Sequence, residues 1–264
     1  MKGLSLTTEL QDGARKLGLD FFGVVAAAAV EAYAGIDVAY WELRRRTARP
    51  SDILPDAKAV VVVGLGLWDR ALDTATYEAK LGRWVYPAYT VLEQRCDRLA
   101  LWLERRGARV AVTGRLSLKN LGVLAGFGVF GKNSLLLSRD FGPDFRLACF
   151  VTDADLEPEH PASGGDLCGD CVLCLDACPM GALTPYVVDP ESCLVSLSLR
   201  AKGGNLAEVA LAVRERFASL DIPAYEPRFG GNLHLMCRAC QDVCPQLSKA
   251  LRFQGNSAQR LTSD

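Results

Sequence analysis

Cys168-Gly-Asp-Cys171-Val-Leu-Cys174-Leu-Asp-Ala-Cys178-Pro179 sets four thiols at gaps of two, two and three residues and closes them with a proline. That spacing is the bacterial run for cysteine-ligated 4Fe–4S clusters. Two-residue gaps let a tight loop aim three thiolates at one cubane. The fourth cysteine opens a helical turn that faces away, so in two-cluster chains it serves the other cluster. Pro179 suits the first turn of a helix, where its missing N–H is no loss. The run therefore predicts a second cluster, and Cys237, Cys240, Cys244 and Pro245 repeat its ending. The leading cysteine is absent there, and Cys193 is the substitute. Cluster A is assigned to Cys168, Cys171, Cys174 and Cys244, and cluster B to Cys178, Cys193, Cys237 and Cys240.

The competing chemistry is zinc, which C-x2-C pairs also bind. Eight cysteines with two C-x3-C-P endings argue against it. Disulfides are a weaker reading still, because no secretory signal is apparent. The amphipathic stretch Met1–Gly18 lacks the apolar core of a signal peptide. No run approaches the roughly 20 apolar residues that span a bilayer. A cytoplasmic protein is expected. With 30 Lys and Arg against 31 Asp and Glu, no global field draws the chain to nucleic acid.

Outward from the cysteines, the first 155 residues alternate helix and strand patterns. Leu6, Leu10, Ala14 and Leu17 fall at helical spacing before Gly18. Phe21 to Val25 reads as a short buried strand. Ala57 to Leu65, with four consecutive valines, reads as a central one. Gly64-Leu-Gly66 reads as a turn at its end. Leu92, Cys96, Leu99 and Leu103 line a helix face that puts Cys96 in the core. Arg109–Thr113, Leu116–Ala125 and Leu147–Thr152 read as strand, helix and strand. A Pro/Gly/Ser-rich linker from Glu157 follows, and Leu206–Leu220 carries another helix pattern. The expected fold is α+β. A layered α/β cofactor-binding domain over 1–160 is followed by a ferredoxin-like two-cluster domain over 161–264.

Gly126-Phe-Gly-Val-Phe-Gly131 matches G-x-G-x-x-G, but helical residues precede it where a dinucleotide loop needs a strand. With Lys132 it nearly matches a phosphate loop, yet Asn133 stands where Ser or Thr should hold magnesium. What remains is physical: three glycines permit close backbone approach, and Lys132 and Asn133 offer donors beside them. A tight glycine turn in the core is the plain alternative.

The combination resembles the epoxyqueuosine reductases and the related reductive dehalogenases. It is carried by Ala48-Arg-Pro-Ser-Asp-Ile-Leu-Pro55, Ala125-Gly-Phe-Gly-Val-Phe-Gly-Lys-Asn133 and Phe150-Val-Thr-Asp153. Tyr186-Val-Val-Asp-Pro-Glu-Ser-Cys193 and Cys240-Gln-Asp-Val-Cys-Pro245 complete it. The resemblance covers roughly residues 15 to 250. It implies two 4Fe–4S clusters and a cobalamin. It also implies that Gly126, Gly128, Gly131, Lys132 and Asn133 lie against the corrinoid.

Three departures are expected. The family's aspartate proton donor, about fourteen residues before the loop, falls on Val112. Cys149 replaces a glutamate before the Phe-Val-Thr-Asp stretch. The tRNA-reading helical repeats of many members have no counterpart. The leading expectation is thus a corrinoid-dependent reductase of a small-molecule substrate, with tRNA disfavoured. Trp84, Tyr86 and Tyr89 are candidate pocket residues, and a low-potential donor such as ferredoxin or flavodoxin would feed the clusters. The alternatives are an electron-transfer protein that reduces a partner's corrinoid, and an epoxyqueuosine reductase acting on tRNA.

Overall fold

The computed structural model describes residues 5–33, 37–40, 43–78, 83–158, 165–196, 233–235 and 237–247. Helix α1 (Leu6–Lys16) starts at Ser5, whose hydroxyl accepts from the Thr8 amide at 3.3 Å. It ends at Gly18, whose φ of 74° is a left-handed cap that a side chain would resist. Strands β1 (Phe21–Ala26) and β2 (Ala59–Gly66) follow, then α2 (Pro87–Glu104), β3 (Val110–Thr113), α3 (Leu118–Leu124) and β4 (Phe145–Thr152). The four strands form one antiparallel sheet in the order β1-β2-β4-β3. Its register places Val24 opposite Val61, Val61 opposite Phe150, and Phe150 opposite Val112.

The valine run is explained by two-sided burial. Val61, Val63 and Leu65 pack with Phe150 against Leu10 of α1 and Leu92, Leu99 and Leu103 of α2. Val60 and Val62 face the other way, towards Leu121 of α3, Leu136 and Val151. With both faces covered, alternation disappears from the sequence, and every residue of β2 is buried. The layered mixed α/β arrangement expected for the first part is what forms. One detail differs. The strand runs through Gly64 and Gly66 instead of turning there, and Gly66 is a glycine because the Phe141 ring lies where a Cβ would be. Cys96 is fully buried, as the helix face required.

The later segments are docked on this body. The backbone of Leu233–Leu235 pairs with Thr74–Glu78, Leu233 opposite Thr76. Leu247 packs with Leu67 and Ala88. One-turn helices at Leu173–Asp176 and Ala239–Asp242, one from each cysteine run, pack together. The pattern at Leu206–Leu220 and most of the expected linker lie outside the described residues. Among the described residues no helix is long and apolar enough to cross a membrane.

Candidate functional site

All ten cysteines are free thiols. Cys168, Cys171, Cys174 and Cys244 line one recess, closed by Lys132, Asn133, Leu137, Leu167, Pro245 and Gln246. The first three are presented by a self-bonded loop. The Asp166 carboxylate accepts from the amides of Cys168 (2.8 Å) and Gly169 (3.1 Å), and the Cys171 amide donates to the Cys168 carbonyl at 2.9 Å. The glycine loop touches this recess directly. The Lys132 amide donates to Cys168 Sγ at 3.4 Å, and Lys132 Nζ donates to the Gly169 carbonyl at 2.6 Å. The Cys174 thiol is pushed up by burial and then by its neighbours Cys168, Cys244 and Cys171.

Two of the remaining four thiols, Cys237 and Cys240, are shifted in the same way. Burial, then Cys193 and Cys178, raise the Cys237 thiol to about 11. Burial, then Cys237, Cys193, Cys178 and Cys174, raise Cys240 to about 12. Cys193 is held by an Asp189 turn, its amide donating to the Asp189 carbonyl at 3.0 Å. The Ala182 amide donates to Cys178 Sγ at 3.3 Å. Among the described residues no three His, Cys, Asp or Glu side chains converge tightly enough to hold a single metal ion. The four thiols of the first set line a recess instead of meeting at a point. Lys119 of α3 is near the second set; its ammonium donates to the Ser134 carbonyl at 2.7 Å, while burial of that charge lowers its pKa and Cys193 and Cys240 oppose the shift.

A buried ionic cluster lies beside this set. Arg238 stands between Cys237 and Cys240 and donates to Asp73 (2.8 Å), Asp144 (2.7 Å) and Asp242 (3.3 Å). Asp73 also pairs with Arg146. Burial raises the Asp73 pKa, but the two arginines outweigh it and hold the carboxyl below its usual range. At Asp144 burial wins, and the carboxyl is pushed up. Sequence reading missed Asp73, Asp144, Arg146 and Arg238. Only Arg238, inside C-x2-C, carried any positional signal.

The expected corrinoid loop has a different local account. Gly126, with φ 75°, is the left-handed cap of α3. A Cβ at Gly128 would overlap the Leu137 carbonyl, and one at Gly131 would crowd the Leu137 side chain. The close approach that these glycines permit is made by the chain itself. Lys132 and Asn133 face the cysteine runs, Asn133 Nδ2 donating to the Cys240 carbonyl at 3.5 Å. Val112 is 46% exposed on the edge strand and carries no proton. Cys149 is fully buried, its Sγ on the Thr113 carbonyl at 3.4 Å, and burial raises its thiol pKa far above the ordinary range. Its proton stays on sulfur at neutral pH, shut away from solvent. Tyr86 is buried, its ring edge-on to Tyr89 with centroids 6.0 Å apart, and Trp84 belongs to the short strand Arg83–Val85.

No protein-family model matches the chain. Curated relatives do. An epoxyqueuosine reductase of Leadbetterella byssophila is 30% identical over 261 residues, covering 90% of this chain and 78% of the relative. One from Synechocystis is 31% identical over 217 residues, covering 78% and 68%. This chain belongs to the epoxyqueuosine reductase family. Solved structures carry the same fold. The Bacillus subtilis epoxyqueuosine reductase superposes with a TM-score of 0.64 at 24% identity, over 93% of this chain and 66% of that one. A B12-dependent reductive dehalogenase superposes at 0.55 and 18%, over 82% and 36%. The chain thus spans about two-thirds of the solved epoxyqueuosine reductase. A further family structure holds an epoxyqueuosine-modified stem loop of tRNA-Tyr, with TM-score 0.63 and 24% identity over 91% and 65%. These findings overturn the expectation that tRNA is disfavoured. Net charge near zero counts charges without saying where they lie, so it could not exclude a nucleic-acid partner.

Proposed function

We propose that this chain is an iron–sulfur reductase that acts on epoxyqueuosine in tRNA, with one 4Fe–4S cluster on Cys168, Cys171, Cys174 and Cys244 and a second on Cys178, Cys193, Cys237 and Cys240. The carrying observation is the 30% identity that extends over 90% of the chain to a named epoxyqueuosine reductase. The division of the thiols supports the cofactor part. One recess is lined by the first set, and Cys193 and Cys178 help raise both Cys237 and Cys240, with Cys174 of the first set adding to Cys240. The four thiols lining the first recess suit a four-iron cubane better than one zinc, whose sulfur ligands sit about 2.3 Å from a single centre. Thiolate ligation releases protons, so thiols raised to about 11 and 12 make loading easier at higher pH.

Removing an epoxide oxygen as water takes two electrons and two protons, and two one-electron clusters can hold both electrons. A low-potential one-electron donor would supply them. The chain's own part is to seat the cysteines. Lys132 bonds the first loop, and Arg238 fixes the second against the sheet. The family resemblance also brings a cobalamin. Because the loop glycines are filled by the chain's own atoms, no residue is assigned to it and no step passes through it.

The test is turnover of epoxyqueuosine-containing tRNA by anaerobically loaded protein with reductant and added cobalamin. Queuosine should form, and iron should reach about eight per chain. Full iron without turnover sinks the activity, whereas turnover with zinc or half the iron sinks the cluster assignment. Cys193→Ser should abolish the second cluster's spectrum and spare the first. Val112→Asp restores a carboxylate at the family's donor position and should raise the rate, by up to roughly 10²-fold or more if proton transfer limits it.

A further inference from the structure

We infer that Lys132 sets the reduction potential of the first cluster, through a backbone N–H on the Cys168 sulfur and an ammonium fixed on the same cysteine loop. The inference rests on the cluster reading above. Lys132 belongs to the sheet body, yet it lines the recess with Cys168, Cys171, Cys174 and Cys244. Its amide donates to Cys168 Sγ at 3.4 Å, and its Nζ donates to the Gly169 carbonyl at 2.6 Å. One residue thus brings a peptide dipole and a full positive charge to the loop that begins the first thiol set.

The turn around Lys132 holds both in place. The Lys132 carbonyl accepts from the Tyr186 amide at 3.0 Å. The Gly131 amide donates to the Leu135 carbonyl at 2.8 Å, and the Ser134 amide returns to the Gly131 carbonyl at 2.9 Å. Buried Asn133 accepts from the Leu135 amide at 3.1 Å. The direction of the Lys132 N–H is therefore a property of the sheet body. The cysteine loop itself carries Asp166 and Asp170, both exposed, and the Asp166 oxygens take the Cys168 and Gly169 amides. The next cation in the turn, Lys119, sits on the Ser134 carbonyl and feels Cys193 and Cys240 of the second set. All of these groups stay in place when Lys132 is replaced, so a substitution there reads out its own contribution. Reduction of a cubane takes one electron from the donor and adds one negative charge, with no bond formed or broken. A donor on a ligand sulfur and a cation beside it both favour that added charge, and hydrogen bonds to sulfur and net charge are levers on cluster potential.

The experiment is a potentiometric titration of fully loaded protein at fixed pH, followed by electron paramagnetic resonance. The first cluster is the signal that survives Cys193→Ser. Lys132→Met and Lys132→Gln should shift its balance towards the oxidised form by about tenfold, a fall of 59 mV for one electron, and leave the second cluster level. Lys132→Arg should restore it. The glutamine keeps a donor for Gly169 and so separates charge from bond. An unchanged first midpoint in both variants, or an equal shift of the two clusters, overturns the inference. Should the variants fail to assemble, wild-type protein grown on lysine labelled with heavy nitrogen decides. A nitrogen coupling from the Lys132 amide to the reduced first cluster is expected in pulsed spectra, and its absence overturns the inference. Zinc, or one cluster signal at full iron, would overturn the cluster reading itself, which level midpoints do not.

Discussion

The two cysteine runs share a spelling and differ in what holds them. The run from Cys168 is largely self-supporting. Asp166 caps its first amides, turns bond within it, and Val172 and Leu173 remain 42% and 50% exposed. The run from Cys237 leans on the sheet domain at every step. A strand pairing precedes it, Arg238 is clamped by Asp73 and Asp144, the Gly142 backbone abuts Gln246, and Leu247 is sealed under Leu67 and Ala88. The first run shapes its own loop. The second is fixed in place by the sheet.

Arg238→Met should break this contrast most severely. It leaves Asp144 buried without its cation, and removing one partner of a buried pair costs about 3–5 kcal/mol. A large drop in the thermal midpoint is expected, with loss of the second cluster first. A change no larger than that of a surface substitution would show that the clamp is dispensable. Gly142→Val comes next. Its Cβ would overlap the Gln246 carbonyl at a φ of 58°, so overpacking of about 1–3 kcal/mol adds to backbone strain. Gly169→Ala probes the same left-handed conformation in the first run, at φ 47° with nothing within 4 Å of a new Cβ. Strain of about 1–2 kcal/mol is the whole expected effect. Equal losses in the two glycine variants would erase the distinction. The smallest effect is at the core thiols. Cys96, raised to about 12 chiefly by burial, and Cys149, raised further, should resist iodoacetamide in folded iron-free protein at about pH 8. The exposed-side thiols of the first run should label, as mass spectrometry would report.

The sheet was legible because its cause is local. Phe21–Val25, the valine run and Leu147–Thr152 each advertise burial within a few residues, and the structure sets strands at Phe21–Ala26, Ala59–Gly66 and Phe145–Thr152. Strand order was not legible, since nothing near Val151 says that it will lie between Val60 and Ala111. The proposed grouping of the thiols comes from their spacing, with Cys193 standing in for a missing leading cysteine. The ionic cluster was not legible, because Asp73 and Arg238 are 165 residues apart and look like ordinary surface charges in the sequence. The glycine loop misled in an instructive way. Glycine reports that something comes close, and at Gly128 that something is Leu137 of the same chain.

The strand order has a consequence for synthesis. β4 inserts between β2 and β3, so the inner edge of the valine strand stays open until residue 152 has left the ribosome. From residue 66 to residue 152 that takes about 4–17 s at typical elongation rates. For that interval a nascent chain displays eight residues destined for complete burial, with unpaired amides along one side. The eight cysteines from Cys168 onward emerge afterwards. Metal loading therefore meets a chain whose hydrophobic framework has either closed or already misassociated, and a chaperone that shields the edge of β2 would raise the yield of loaded protein without touching a single thiol.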